Sequence, residues 1–229
     1  LNVVEELLGE SNVSNQPLED LCSDGSAGRW SPNHLEGKLA NIVPDLDGDK
    51  IERQGRAKKL TEDGESINAE RKRVSHYEIE PNAKHMYAAN SPPSANRHED
   101  AFYNRFLTLK FDNQIPRGEQ DEDLEDRLTE PEVLNGIFKW ALDGMQRLQN
   151  QGEFTRELGP LATKELFNLY DSGPKRFVHE VCDFKHKASE EDRKSKDWRI
   201  SSAKLHEHYQ EWVKDRPEFS MFGIQKFSR

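Results

Sequence analysis

An α/β fold is predicted by three features of this 229-residue chain. Residues 38–43 form a short, mostly apolar run that stops at Pro44, the pattern of a strand buried on both faces of a parallel sheet. A second run covers 83–89 and stops at Asn90, and a third covers 106–111. Around them the apolar period changes to that of helices, at 1–8 and most clearly at 134–148.

In chain order, Val3, Val4, Leu7 and Leu8 lie at helical spacing, with Gly9 in the position favoured after a helix end. Residues 11–30 are loop-rich, with a short helix expected near 17–21. Asp45, Asp47 and Asp49 follow the first strand at once, at the carboxyl end where open α/β sheets hold their ligands. Residues 51–61 read as a basic helix and 66–80 as a hairpin. In that hairpin Ile67 and Ala69 alternate with polar residues, Val74, Tyr77 and Ile79 lie on the return, and Arg71, Lys72 and Arg73 gather toward the tip.

After an acidic linker at 116–126, Thr129-Glu-Pro-Glu132 has the form of a capping box with proline in the first helical turn. It opens an amphipathic helix carrying Leu134, Ile137, Phe138, Ala141, Leu142, Met145 and Leu148, closed by Gly152. Beyond Gly173 come a short helix with Phe177, Val178 and Val181, a charged run to Lys196, and a last helix marked by Leu205, Tyr209 and Trp212. Trp140 and Trp212 read as packing residues. The expected segments are 1–118, 119–172 and 173–229.

Composition narrows the function. A net charge of −10 argues against a simple basic coat for nucleic acid, although a ring can gather a few cations at its pore. No apolar run approaches the roughly 18 residues of a membrane span, so no membrane partner is expected. Cys22 and Cys182 form no C-x-x-C pair, and a reducing cytoplasm is the expected compartment. The chain opens at Leu1 in mid-helix, which reads as a segment of a longer polypeptide.

Several residues carry candidate chemistry. Asp45 stands at a strand end where a carboxylate can coordinate Mg²⁺, with Asp47 close behind; the alternative is an ordinary turn aspartate. The amide of Asn90 both accepts and donates, which suits holding a water against a phosphate; the alternative is an asparagine capping the turn before Pro92. Arg105 offers a delocalised guanidinium beside Phe102 and Tyr103; the alternative is a surface ion pair with Asp100. Arg97 is a weaker candidate. Arg71, Lys72 and Arg73 form a basic tip, which is a solvated turn unless it meets a nucleic-acid backbone, and Lys58 and Lys59 lie on the preceding basic helix. His179, Cys182 and His186 fall at i, i+3 and i+7 but lack a fourth ligand, so zinc is not expected.

The residues from Gly37 to Leu46, the stretch Lys84-His-Met-Tyr-Ala-Ala-Asn90-Ser-Pro-Pro, and Asp100-Ala-Phe-Tyr-Asn-Arg105-Phe together resemble the superfamily 3 helicase domain of phage, plasmid and viral primase-helicases. That resemblance implies a P-loop NTPase sheet of the AAA+ kind, working as a hexameric, ATP- and Mg²⁺-dependent helicase on single-stranded DNA, often with a fused primase. It implies Asp45 as metal ligand, Asn90 as sensor, Arg105 as the finger toward the adjacent subunit, and the basic hairpin in the ring channel. The tail around residues 205–212 is similar to the winged-helix segment of poxvirus-type members. Two departures stand out: Pro44 replaces one of two adjacent acidic residues, and Asn104 replaces the first of two arginines. No Gly-x-x-x-x-Gly-Lys-Ser/Thr occurs, so the first strand and phosphate loop of such a sheet are missing from this sequence and the chain alone is not expected to hydrolyse ATP. A different class of function stays open, a non-enzymatic replication initiator or regulator binding DNA through a winged helix. A plain oligomeric scaffold is a third.

Overall fold

The computed structural model describes residues 1–46, 51–71, 74–93, 100–182, 200–216, 219 and 221–227. The chain is mixed α/β and divides into two compact units, Leu1–Lys164 and Glu165–Arg229. This division is coarser than the three expected segments.

The first unit is built on a parallel sheet of β1 (Val13–Ser14), β2 (Ala40–Leu46) and β3 (Lys84–Ala89), with β2 in the centre. Helix α1 (Asn2–Leu8) covers one face, where Val4 and Leu8 pack on Val13, Ala40 and Ile42. Residues in register on parallel neighbours share a face, so Asn41 and His85 lie together on the other side, as do Val43 and Tyr87. Near-complete burial of 40–43 explains why this strand lacks a polar alternation.

Two short helices follow the sequence expectations, α2 (Leu18–Leu21) and α4 (Gln54–Leu60), whereas α3 (Ser26–Trp30) stands in a segment expected to be loop. The expected hairpin is an antiparallel pair, β4 (Ile67–Arg71) and β5 (Val74–Ile79), with Ile67, Ala69 and Ile79 buried. It packs against α3 and the 3-10 turn Ser31–Leu35.

The run at 106–111 is not a strand. After α5 (Asp100–Tyr103), its backbone is held by side chains instead of a ladder. Arg156 donates to the carbonyls of Phe106 (3.0 Å) and Asn104 (3.2 Å), and Lys110 N–H donates to Glu157 Oε2 (3.1 Å). Leu107, Leu109 and Phe111 are consequently exposed, Phe111 at 90%.

The capping box also fails. Thr129 turns back to end α6 (Leu124–Leu128), its hydroxyl donating to the carbonyls of Glu125 and Asp126 at 3.0 Å each. Helix α7 (Pro131–Gln151) therefore starts from Glu130 without a side-chain cap, and proline at its first position needs no N–H partner. Gly152 ends it as expected, with φ 75° and its N–H bonded to Leu148 O at 2.8 Å. Helix α7 has no buried residue; Phe138, Trp140 and Met145 are exposed, so among the described residues Trp140 is not buried as a packing residue would be. The helix α8 (Pro160–Asp171) follows.

The second unit contains α9 (Gly173–Val181), α10 (Ser202–Lys214) and α11 (Ile224–Phe227). Phe177, Tyr209 and Val213 form its core, with Trp212, Phe219, Phe222 and Phe227 packed around them. Buried His206 donates Nε2–H to Phe222 O at 2.7 Å. Arg216 lies 4.3 Å from the Trp212 ring centroid, and Arg176 pairs with Glu180 at 2.6 Å.

Among the described residues, no helix is long and apolar enough to cross a membrane.

Candidate functional site

Asp45 and Asn90 stand at the same, carboxyl ends of neighbouring parallel strands. Val43 pairs with Tyr87 and Leu46 with Ala89, so β2 spends three steps where β3 spends two. That irregularity falls on Pro44 and Asp45. Proline has no N–H for a ladder and is tolerated at such a bulge, which also re-aims the next side chain. Burial records the effect: Val43 and Leu46 are buried, whereas Pro44 and Asp45 are exposed. Asn90 is the first residue past β3 and is exposed beside Ser91 and Pro92. Adjacent strands lie only about 4.8 Å apart, so the two backbone positions share one stretch of the sheet's carboxyl edge.

Asp47, together with Asp49, lies outside the described residues. A single exposed carboxylate with an amide neighbour fits Mg²⁺, which keeps several waters and takes remaining ligands from phosphates. It does not fit a site built wholly from protein ligands, and among the described residues no group of three or more His, Cys, Asp or Glu could hold a metal.

Arg105 is placed by aromatic anchors. Phe102 and Tyr103 are fully buried, and Phe106 meets Phe102 edge-on with centroids 4.8 Å apart. From there the guanidinium reaches the C-terminal end of α4. It donates to Thr61 Oγ1 (3.1 Å), Lys58 O (3.4 Å) and Glu62 Oε2 (3.1 Å). Asp100 pairs instead with Lys164 at 2.6 Å. Arg97 lies outside the described residues.

Of the hairpin's basic tip, Arg71 is the residue the structure describes. Arg71 is held against its own unit, pairing with Glu36 at 2.6 Å, donating to Asn33 at 2.6 Å and lying 5.4 Å from the Tyr77 ring centroid. Lys72 and Arg73 lie outside the described residues. Lys59 is exposed and pairs with Glu65 at 3.5 Å, and Lys58 is half-buried in the last turn of α4.

Two features escaped the sequence reading. The first is a buried polar network on the face of the sheet opposite α1. Fully buried Asn41 accepts from Gln16 N–H (2.7 Å) and donates to Gln16 O (2.8 Å) and the Tyr87 hydroxyl (3.1 Å). His85 Nδ1 lies 3.1 Å from the Tyr87 hydroxyl and 3.3 Å from Asn41 Nδ2. Burial lowers the His85 pKa to about 4, opposed by a backbone interaction with Leu60 and assisted by Lys84. Burial likewise pushes the Tyr87 hydroxyl well above its usual range. The only signal was polar residues interrupting two apolar strands.

The second is a cavity of about 350 Å³ between α3, α4 and the hairpin, lined by Arg29, Arg53, Arg56 and Lys59. Its cations are scattered over 31 positions of sequence, counted from 29 to 59, and form no run.

Residues 1–105 match the model of a family described as a family of unknown function, DUF5906, a span that contains Asp45 and Asn90 and ends on Arg105. No curated protein matches the chain.

Proposed function

We propose that this chain supplies the Mg²⁺-binding, sensor and arginine parts of an ATP-dependent, ring-forming DNA helicase, with a phosphate loop contributed by other polypeptide. The reading rests on one observation: Asp45 and Asn90 end adjacent parallel strands, Asp45 at a bulge that exposes it. Chain order adds support, because strand, basic helix, hairpin, sensor strand and arginine follow one another as in superfamily 3 helicases. When bound, Mg²⁺ would offset charge on the transferring phosphoryl group. Asp45 would hold the ion and Asn90 would orient a water. Arg105, once released from Glu62, would face a neighbouring subunit's nucleotide as an always-charged, planar donor. The proposed assembly is a homo-hexamer with single-stranded DNA in its channel.

The test is Mg²⁺-dependent ATP turnover by the full-length gene product. Asp45→Asn and Asn90→Ala should each lower kcat by about 10²-fold or more. Turnover unchanged in both variants overturns the reading, as does robust ATPase from the 229-residue chain alone.

A second reading is favoured by the separate aromatic core of Glu165–Arg229, which suits a self-contained DNA-binding module of the winged-helix kind. It requires DNA affinity that survives Asp45→Asn and disappears when that unit is removed.

A further inference from the structure

The geometry points to the cavity between α3, α4 and the β4–β5 hairpin as a binding site for a phosphate group, held by Arg56 at its wall and by Arg29, Arg53 and Lys59 at its rim. This inference is independent of Asp45, Asn90 and Arg105.

Arg56 is the built element. Its guanidinium is half-buried, and Nη1 donates to Ser23 O at 3.3 Å. It fits there because position 28 is glycine: a Cβ would lie 2.6 Å from Arg56 Nη1 and 1.9 Å from Ser23 O. Among the described residues no carboxylate pairs with Arg56. Its electrostatic neighbours are Cys22 and Arg53. The Cys22 thiol is neutral, since burial pushes its pKa up to about 12. Arg53 is a like charge. Among the described residues this half-buried guanidinium, facing a neutral thiol and a second guanidinium, has no counter-charge of its own, and an anion would supply one.

The rim cations have partners that are easily exchanged. Arg53 pairs with Asp24, Lys59 with Glu65 at 3.5 Å, and Arg29 with Glu70 at 3.9 Å. All three cations are more than half exposed, so these pairs contribute little. A phosphate group takes bidentate guanidinium bonds that are stronger than the pairs it displaces. The two carboxylates lining the cavity are engaged, Glu70 with Arg29 and Glu78 by the Ser66 hydroxyl at 3.1 Å. Four cations and two carboxylates line the cavity, while Asp24 and Glu65, the partners of Arg53 and Lys59, stand outside the lining. The volume, about 350 Å³, suits one nucleotide-sized unit.

Two sources carry this chemistry, a single-stranded nucleic-acid backbone and a small free phosphorylated molecule. Inorganic pyrophosphate is the probe, titrated calorimetrically into the full chain at low and physiological salt. The wild type should bind, more weakly as salt rises. Arg56→Gln, and separately Arg29→Gln with Arg53→Gln, should weaken binding by about tenfold or more, while Lys139→Gln on α7 should leave it unchanged. Should Arg56→Gln fail to fold, the double variant, whose side chains are exposed, decides alone. Competition by oligothymidylate of about 12 nucleotides assigns the site to a strand; absence of competition assigns it to a free phosphorylated molecule. No pyrophosphate binding by the wild type, or equal affinity in the double variant, overturns the inference.

Discussion

Arg105 and Glu62 form an ion pair, Nη2 to Oε2 at 3.1 Å, across the C-terminal end of α4. The same guanidinium bonds Thr61 Oγ1 and Lys58 O, so it satisfies groups at a helix end whose dipole favours a cation. Within one chain the arginine is a cap. Any reach toward a neighbouring subunit must break these bonds, each modest because the pair is partly exposed.

Arg105→Ala should therefore lower stability by about 1–2 kcal/mol, and Glu62→Gln by about 0.5 kcal/mol, in urea unfolding. A double-mutant cycle should give a coupling of about 0.2–1 kcal/mol. Coupling near zero would mean that Glu62 does not hold the arginine in solution.

His85 sets a pH dependence. Its folded pKa of about 4 lies below its unfolded value near 6.5, so the unfolded chain binds the extra proton. Its contribution is complete above pH 6.5 and is lost as pH falls from 6.5 to about 4, below which no further change comes from this group. The span corresponds to about 3 kcal/mol. Urea midpoints measured across that window should fall steeply for the wild type and less steeply for His85→Gln.

Gly28→Ala tests a close approach rather than a backbone twist. The new methyl would overlap the Ser23 carbonyl carbon and oxygen as well as Arg56. Backbone cannot yield as a side chain can, and a loss of about 1–3 kcal/mol is expected, seen as a lowered Tm. An unchanged Tm would show that α3 can shift away from 23.

Legibility in the sequence followed the kind of force involved. The strand now seen as Ala40–Leu46 was readable because burial prints an unbroken apolar run, and the strand Lys84–Ala89 and the hairpin were readable from equally local patterns. The 106–111 run misled because it is apolar but solvent-exposed, its backbone bonded by Arg156 and Glu157 some 50 positions away. Thr129 misled because one hydroxyl can close the helix before it or open the one after it, and α6 took it. Asp45 was legible as a strand-end acid, but the bulge that exposes it depends on register with Tyr87 and Ala89. The hold of Asn33 and Glu36 on Arg71, and the grouping of Arg29 with Arg56, are tertiary facts without a local signature.

Asn41 is the polar keystone of the sheet. It binds both backbone groups of Gln16 and reaches Tyr87 from a fully buried position. Asn41→Leu would leave the Gln16 N–H and carbonyl without their side-chain partner, a cost of about 2–4 kcal/mol. Asn41→Ala with Tyr87→Phe should cost less than the sum of the two single changes, because the pair shares one bond. Chemical denaturation of the four proteins measures this directly.

Asp45 and Asn90 should separate function from stability. Both are exposed at strand ends and neither contributes to a buried cluster, so Asp45→Asn and Asn90→Ala should each change unfolding free energy by no more than about 0.5 kcal/mol. A residue retained only to shape the turn before Pro92 would behave otherwise. Replacing Asn90 would then loosen the end of β3 and lower stability by about 1 kcal/mol, as loss of a side-chain cap does elsewhere. Near-zero change in urea midpoint, paired with lost Mg²⁺-dependent turnover in the full-length gene product, is the outcome a ligand-binding role requires. A destabilised Asn90→Ala with normal turnover assigns the asparagine to the turn.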